Sequence, residues 1–228
     1  MRVRPSEHTR SGYGLVLLMI VGTYVLALLA GDRWMVALLL FVQTLTVWQA
    51  LRVSGARLGM RLAAAGVFVL SLVVAGFNLV AHDSPVVGYT FLAASALYLL
   101  APFSILRYLG ARRVVDAQTM MGALAAFLLI GMAFGFGYEC LAAIQSGPLF
   151  GDRGDPSLSE ALFFSFVTMT TTGYGDLVPA TNPAQTIAVL EALTGQLFLV
   201  TAVAKVVENW RPRNWDSADE PPTSGDPK

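Results

Sequence analysis

Charged side chains are scarce in this chain. Only 13% of its 228 residues are Asp, Glu, Lys or Arg, whereas 55% are hydrophobic. Soluble domains usually carry about 25% charged and about 45–50% apolar residues. A globule of this size would therefore lack a sufficient polar coat, which argues against a soluble enzyme and against a disordered regulator. The composition indicates a membrane protein with several spans.

Other absences narrow the function further. A single cysteine, Cys140, rules out an intramolecular disulfide and with it a disulfide scaffold. The formal net charge is zero and no basic block stands out, which argues against a nucleic-acid partner. The sequence contains no nucleotide-binding loop, catalytic triad or zinc cluster. We therefore expect neither an enzyme nor a bound cofactor.

Six apolar segments are long enough to cross a bilayer, which takes roughly 20 mostly apolar residues. They are Tyr13–Ala30, Trp34–Leu51, Leu62–Ala81, Val86–Leu106, about Thr119–Leu141 and about Pro183–Val207. The stretch between the last two contains Gly, Pro and acidic residues and then an apolar run, Leu158–Met169, that is too short to span. Such a run is typical of a re-entrant segment, which survives at membrane depth only when it is buried in protein or lines a cavity.

The arginines are concentrated in alternate loops. One side holds Arg2, Arg4, Arg10, Arg52, Arg57, Arg61, Arg107, Arg112, Arg113, Arg211 and Arg213. The loops of the opposite side hold only Arg33 and Arg153. Because arginine favours the cytoplasmic side, both termini are predicted to be cytoplasmic and the re-entrant segment to open outward.

The re-entrant segment ends in the string TMTTTGYGD, from Thr168 to Asp176. Gly173 and Gly175 can adopt left-handed backbone angles at little cost, so that successive carbonyls turn to the same side. Four copies around an axis would form stacked rings of oxygens that replace the water shell of a dehydrated cation. Thr171 would add its hydroxyl to the innermost ring, and Tyr174 would point away from the axis and brace the rings.

The six residues from Thr171 to Asp176, TTGYGD, resemble the signature filter of the potassium channel pore family, in which Val or Ile usually stands in place of Thr172. The similarity covers about Thr119–Val207. It implies a tetramer of four copies of this chain, in which K⁺ is bound by the carbonyls of the filter. Those carbonyls belong to Thr171, Thr172, Gly173 and Tyr174, and Gly175 and Asp176 support them.

The run Ser159–Phe166 resembles the pore helix of the same family, with Phe163 and Phe164 where an aromatic pair is common. The resemblance implies that this pair and Val167 support the filter. Val167 stands where some relatives have a Glu paired with the filter Asp, so Asp176 needs another donor here. The inactivation behaviour of those relatives therefore does not carry over.

The sixth span contains the candidate gating residues. Gly195 matches the glycine hinge of the family's inner helix, and close helix packing is an equal alternative. Leu199, Val203 and Val207 follow at four-residue spacing and would form a hydrophobic constriction. Glu191 is an intramembrane carboxyl and so a functional candidate; we slightly favour a hydrogen-bonding role behind the filter. In the fifth span, Gly131 and Gly135 form a GxxxG pair that favours close helix packing.

Voltage-gated channels also have six spans, and their fourth span carries Arg or Lys at every third position. The movement of these charges in the membrane field drives channel opening. Here Val86–Leu106 contains no charge, and Arg107 lies at its cytoplasmic end. We therefore expect voltage-sensor-like order without strong voltage gating.

The predicted fold is an all-α membrane protein with six transmembrane helices plus a re-entrant pore helix and filter. Its parts are a cytoplasmic N-terminus (1–12), a four-helix domain (13–106), a linker (107–118), a pore domain (119–208) and a disordered cytoplasmic tail (209–228). We expect a potassium-selective channel that contacts membrane lipids and has no soluble ligand domain. Abundant Ala, and Arg far in excess of Lys, fit a GC-rich bacterial genome, so we expect a location in a bacterial inner membrane. The alternatives are a less selective cation channel and a non-conducting regulatory or scaffold subunit.

Overall fold

The computed structural model describes residues 12–29, 33–53, 86–110 and 117–208, together with isolated positions between 59 and 69. The regular structure in these ranges is entirely helical. Its six α-helices are α1 (Gly12–Leu29), α2 (Arg33–Val53), α3 (Val86–Gly110), α4 (Ala117–Ile144), α5 (Leu158–Met169) and α6 (Asn182–Glu208). A 3₁₀ turn, Gly151–Arg153, precedes α5. The all-helical prediction is confirmed for this part of the chain.

Five of the predicted spans coincide with α1, α2, α3, α4 and α6, and the short re-entrant run coincides with α5. The third predicted span, Leu62–Ala81, falls almost wholly outside the described residues. Within the described ranges, α4 and α6 are the two helices long and apolar enough to cross a membrane. A total of six spans therefore stays a prediction.

The predicted linker, residues 107–118, begins and ends in helical residues in the part of the chain that the structure describes. Helix α3 continues past the last apolar residue of its span to Gly110, and α4 begins at Ala117. Backbone hydrogen bonding does not stop where the side chains become polar, so a helix can extend beyond the membrane core.

Helix α4 is the centre of the fold, because it packs against α1, α3, α5 and α6. Leu129, Met132 and Phe136 on its surface are completely buried. The Phe136 ring stacks on that of Tyr98 from α3, with the ring centroids 5.5 Å apart. Aromatic side chains bury large apolar areas, so their contacts contribute strongly to the stability of a core. Helix α4 thus provides the rigid wall against which the re-entrant helix α5 is placed.

The GxxxG pair of α4 faces α5. A Cβ atom added to Gly131 would lie 2.6 Å from the Phe166 ring, and one added to Gly135 would lie 2.6 Å from Leu162 Cδ2 and 3.2 Å from its Cα. These separations are shorter than any normal contact between carbon atoms. The two glycines therefore allow α5 to approach the α4 backbone, and the packing role predicted from the sequence is confirmed.

We expect Gly135→Ala to destabilise the protein by about 1–3 kcal/mol, because the new methyl group meets the backbone of α5 and not only a movable side chain. Gly137→Ala is the matched control, since its Cβ would have Ser95 Oγ as nearest neighbour at 3.8 Å. That control should be neutral or slightly stabilising, as Ala is about 1 kcal/mol better than Gly in a helix. Thermal unfolding of the detergent-solubilised protein compares the two. Equal stability of both variants would contradict the close approach of α4 and α5.

The start of α5 is fixed by a capping box. The Ser157 hydroxyl accepts from the Glu160 backbone N–H, and the Ser157 N–H donates to Glu160 Oε2 at 2.8 Å. This reciprocal pair satisfies two backbone donors that the first turn of a helix leaves free. Hydrogen bonds from the Ser157 backbone and hydroxyl, together with nearby Arg153, hold the pKa of Glu160 below its usual value. The capping box thus fixes the start of α5, and the candidate filter begins at its other end.

Candidate functional site

The string that follows α5 has a backbone of alternating handedness. Thr171, Gly173 and Gly175 have positive φ angles of 58°, 54° and 84°, whereas the residues between them do not. For a residue other than glycine the left-handed conformation costs roughly 1–2 kcal/mol, so Thr171 is held there by its surroundings. This is the alternation that turns successive carbonyls to one side of a strand-like segment.

Main-chain hydrogen bonds attach this segment to the last turn of α5. The Val167 carbonyl accepts from the N–H of Thr172 at 2.9 Å and from that of Gly173 at 3.4 Å, and the Thr168 carbonyl accepts from the N–H of Thr171 at 2.9 Å. Val167 therefore supports the segment through its carbonyl, a role that its side-chain identity does not reveal. The helix end and the segment after it form one hydrogen-bonded unit.

Two hydroxyls extend this unit. Thr170 Oγ1 donates to the Phe166 carbonyl at 2.7 Å, and it lies 2.9 Å from Thr172 Oγ1. A Val or Ile in place of Thr172 could not make the second contact. The resemblance identified Thr172 only as a replacement for Val or Ile and did not pair it with Thr170. Thr170 is right-handed and Thr171 is left-handed, so the contact depends on a backbone conformation that these residue types do not indicate.

The two phenylalanines of α5 lie in different environments. Phe163 stacks on Tyr174, with centroids 6.1 Å apart and an interplanar angle of 3°, so it contacts the segment directly. Phe164 is buried between Tyr138 and Phe150, at centroid distances of 4.9 and 5.0 Å. Phe164 therefore packs α5 against the rest of the fold. That both rings support a filter stays a prediction; the structure shows a ring contact between Phe163 and Tyr174.

Asp176 and Tyr174 lie on the exposed outer part of the segment. Tyr174 is 71% exposed in the single chain. Asp176 lines an open pocket of about 270 Å³ together with Arg153, Glu160 and Phe163. Arg153 is thus the basic side chain that shares this pocket with Asp176. Val167, in the position where some relatives have a Glu, supplies no carboxyl partner for Asp176.

Glu191 of α6 is completely buried and lies between α4 and α5. Its Oε2 accepts from the Tyr138 hydroxyl at 2.7 Å. Its Oε1 is in hydrogen-bond contact with Ser165 Oγ, which also lies 2.6 Å from the Gly131 carbonyl oxygen. The structure therefore places Glu191 behind α5, in the second of the two roles considered from sequence. Tyr138 and Ser165 could not be identified as its partners from sequence, because both lie far from Glu191 in the chain.

Gly195, one turn further along α6, lies against the end of α5. A Cβ atom added to it would be 2.2 Å from the Met169 carbonyl oxygen and 2.6 Å from Met169 Cγ. Close packing, the alternative to a hinge, is the arrangement that the structure contains. Leu199, Val203 and Val207 are all exposed on α6, as are Leu197 and Val200 on neighbouring faces. Much of the apolar surface of α6 is thus left uncovered by the chain itself.

The exposed segment and the C-terminal end of α5 lie next to each other. The segment from Thr170 to Asp176 is exposed throughout, so its carbonyl groups are available to a ligand or to further copies of the chain. Helix α5 directs its C-terminal end, which carries a partial negative charge, toward the start of this segment. One chain supplies only one side of any cage around an ion. Oxygen ligands and a negative helix end together favour a cation over an anion.

Comparison with known proteins agrees with this chemistry. Residues 123–210 match the model of a family described as ion channel. Relatives with similar sequence include the potassium voltage-gated channel protein shk-1 of Caenorhabditis elegans, 36% identical over 76 residues, which are 31% of this chain and 14% of that protein. The inward rectifier potassium channel Kirbac3.1 of Paramagnetospirillum magnetotacticum is 39% identical over 66 residues, 29% of this chain and 22% of that protein.

A third relative is the human potassium voltage-gated channel subfamily A member 6, 34% identical over 95 residues, 40% of this chain and 16% of that protein. The matched part of this chain is therefore similar to an ion channel family and to potassium channels. The chain spans between 14% and 22% of the length of these three relatives. The similarity therefore concerns the pore region and not the whole length of this chain or of any of the relatives. No solved structure matches the chain. In this matched part a short helix, an exposed segment and a long apolar helix follow one another in that order.

Proposed function

We propose that this chain is the subunit of a homotetrameric, potassium-selective channel that conducts K⁺ passively across the cell membrane. The observation that carries the proposal is the alternation of left-handed φ angles at Thr171, Gly173 and Gly175, directly after the pore helix α5. Such a backbone presents consecutive carbonyls to one side, as a cage for a dehydrated cation requires. The ion would be bound by the carbonyls of residues 171 to 174 and by the Thr171 hydroxyl.

Four-fold assembly follows from the chemistry of the site. Rings of carbonyls that replace a hydration shell need oxygens on every side of the ion, and one chain provides a single strand of them. The exposed apolar residues of α6, among them Leu193, Leu197 and Val200, would be covered by neighbouring copies or by lipid. In this assembly the pore domain is residues 119–208, and α6 lines the inner cavity.

Gating and topology belong to the same proposal. Helix α3 contains no charge between Val86 and Leu106, and Arg107 lies in its last turn. With so little charge to move in the membrane field, we propose a four-helix domain (13–106) without strong voltage gating. Both termini would be cytoplasmic, with the linker (107–118) and the tail (209–228) on that side, in a bacterial inner membrane. Steep activation by voltage in bilayer recordings would overturn this part of the proposal.

Ion flux from liposomes tests the function directly. Purified protein reconstituted into vesicles should release K⁺ down its gradient and leave a matched Na⁺ gradient nearly intact. Equal passage of Na⁺ and K⁺ would instead support a less selective cation channel. Absence of flux from tetramers under all gradients would support a regulatory or scaffold subunit.

A further inference from the structure

The Ser165 hydroxyl makes two close contacts with oxygen atoms, and its one hydrogen cannot serve both of them if Glu191 is ionised. Ser165 Oγ lies 2.6 Å from the Gly131 carbonyl oxygen and in hydrogen-bond contact with Glu191 Oε1. A carbonyl oxygen and a carboxylate oxygen can only accept, whereas a serine hydroxyl has a single hydrogen to donate. One of the two contacts would then bring two acceptors together without a hydrogen between them.

A protonated carboxyl removes this conflict. Glu191 Oε1–H would donate to Ser165 Oγ, and the Ser165 hydroxyl would donate to the Gly131 carbonyl. Glu191 Oε2, as the carbonyl oxygen of the acid, accepts from the Tyr138 hydroxyl at 2.7 Å. Each hydrogen then has one acceptor, in a chain that runs from Tyr138 through Glu191 and Ser165 to Gly131. Complete burial of Glu191 and Ser165 leaves no access for bulk water to supply another donor.

We infer that Glu191 holds a proton and acts as a neutral positioning residue that fastens the inner helix α6 to α4 and to the pore helix α5 behind the filter. Both ends of the hydrogen-bond chain, Tyr138 and Gly131, lie on α4. The contact between Gly195 and Met169 joins the same helices one turn further along. The upper part of α6 is thus tied to the pore helix at two successive levels, and any bending of α6 occurs beyond Gly195.

The attachment of α6 depends on the charge state of Glu191, because the groups that face it in the described part of the chain offer no positive charge. Tyr138 faces it from α4 and Ser165 from α5, and no basic side chain among the described residues contacts it. Glu139, the neighbour of Tyr138, interacts instead with Asp155 and Glu160 at the outer end of the fold. Loss of the proton would place an unpaired negative charge against Ser165 and break the link to Gly131. The inference therefore predicts that alkaline solution loosens the attachment of α6 to α5.

Infrared spectroscopy and substitution test the inference together. Near neutral pH, the difference spectrum of wild type minus Glu191→Gln should contain a C=O band of a protonated carboxylic acid. Wild type minus Glu160→Gln should lack one, because Glu160 is exposed and ionised. A spectrum without the carboxylic acid band, or with a carboxylate band in its place, would overturn the inference. This readout does not depend on ion conduction, so it separates the inference from the proposed function on which its role rests.

Tetramer stability and flux give a second readout. A Gln side chain can accept from Tyr138 and donate to Ser165, so Glu191→Gln should keep tetramer stability and K⁺ flux close to wild type. Glu191→Ala leaves the Tyr138 and Ser165 hydroxyls unpaired and should reduce the fraction of stable tetramer by roughly tenfold. Tetramer stability should fall at alkaline pH in wild type and stay constant in Glu191→Gln. A Gln variant as damaged as the Ala variant, or one that retains the wild-type pH profile, would contradict a proton on Glu191.

Discussion

Replacing Gly173 with alanine is expected to abolish potassium-selective flux while leaving the helical fold intact. Gly173 has φ of 54°, and no atom lies within 4 Å of the position that a Cβ would occupy. The penalty is therefore conformational: a left-handed backbone costs an L-residue with a side chain roughly 1–2 kcal/mol in each subunit. Relief of that strain by rotation of the peptide turns a carbonyl out of the ring. In the proposed tetramer all four subunits would carry the change, which multiplies its effect on the proposed ion site.

A matched control separates filter geometry from general backbone strain. Gly147 also has a positive φ, 110°, with nothing near its Cβ position, but it lies in the loop before the 3₁₀ turn. Gly147→Ala should lower stability without changing the ratio of K⁺ to Na⁺ flux from liposomes. If Gly173→Ala keeps wild-type selectivity, or if Gly147→Ala loses it equally, the assignment of the filter is wrong.

Replacing Gly195 with alanine should disrupt the proposed channel more than replacing Gly131, Gly135 or Gly137. The new Cβ would lie 2.2 Å from the Met169 carbonyl oxygen, which is backbone and cannot move aside as a side-chain tip can. Helix α6 must then shift away from the end of α5, where the filter segment begins. Overpacking typically costs about 1–3 kcal/mol per site, and here it falls on the unit that orients the filter.

Measurement of tetramer yield alongside flux distinguishes packing from hinge behaviour. If Gly195 serves close packing, Gly195→Ala should lose both the stable tetramer and K⁺ flux, and Gly137→Ala should retain both. If Gly195 serves only as a hinge, alanine would stiffen α6, preserve the tetramer and alter only the fraction of time that the channel is open. A stable tetramer with altered gating would therefore contradict the packing account.

The parts of the fold that sequence predicted well depend on local pattern. Long apolar runs located α4 and α6, and the short run between them located α5, because burial in a membrane imposes length and composition directly. The filter segment was predicted from Gly173 and Gly175, whose backbone freedom is a property of the residue itself. The left-handed angle at Thr171 could not be inferred in this way, since a threonine gives no such signal.

The contacts that could not be predicted from sequence join residues that lie far apart in the chain. Glu191 was a candidate, but its partners Tyr138 and Ser165 lie 53 and 26 positions away. Only the packing of α6 against α4 and α5 brings them together. Phe163 and Phe164 are adjacent and chemically identical, yet one contacts Tyr174 and the other lies between Tyr138 and Phe150. Which ring faces the filter depends on how α5 is rotated, and its neighbours decide that rotation.

The central claim is that residues 171 to 174 of four chains coordinate dehydrated K⁺ on a common axis. Diffraction from crystals of the full chain in which Tl⁺ replaces K⁺ tests it most directly, since Tl⁺ has a similar radius and a strong anomalous signal. The account predicts anomalous peaks on a four-fold axis, each surrounded by carbonyl oxygens of Thr171, Thr172, Gly173 or Tyr174, and their loss in Gly173→Ala. A four-fold assembly without peaks at these carbonyls, or an assembly without a four-fold axis, would contradict it.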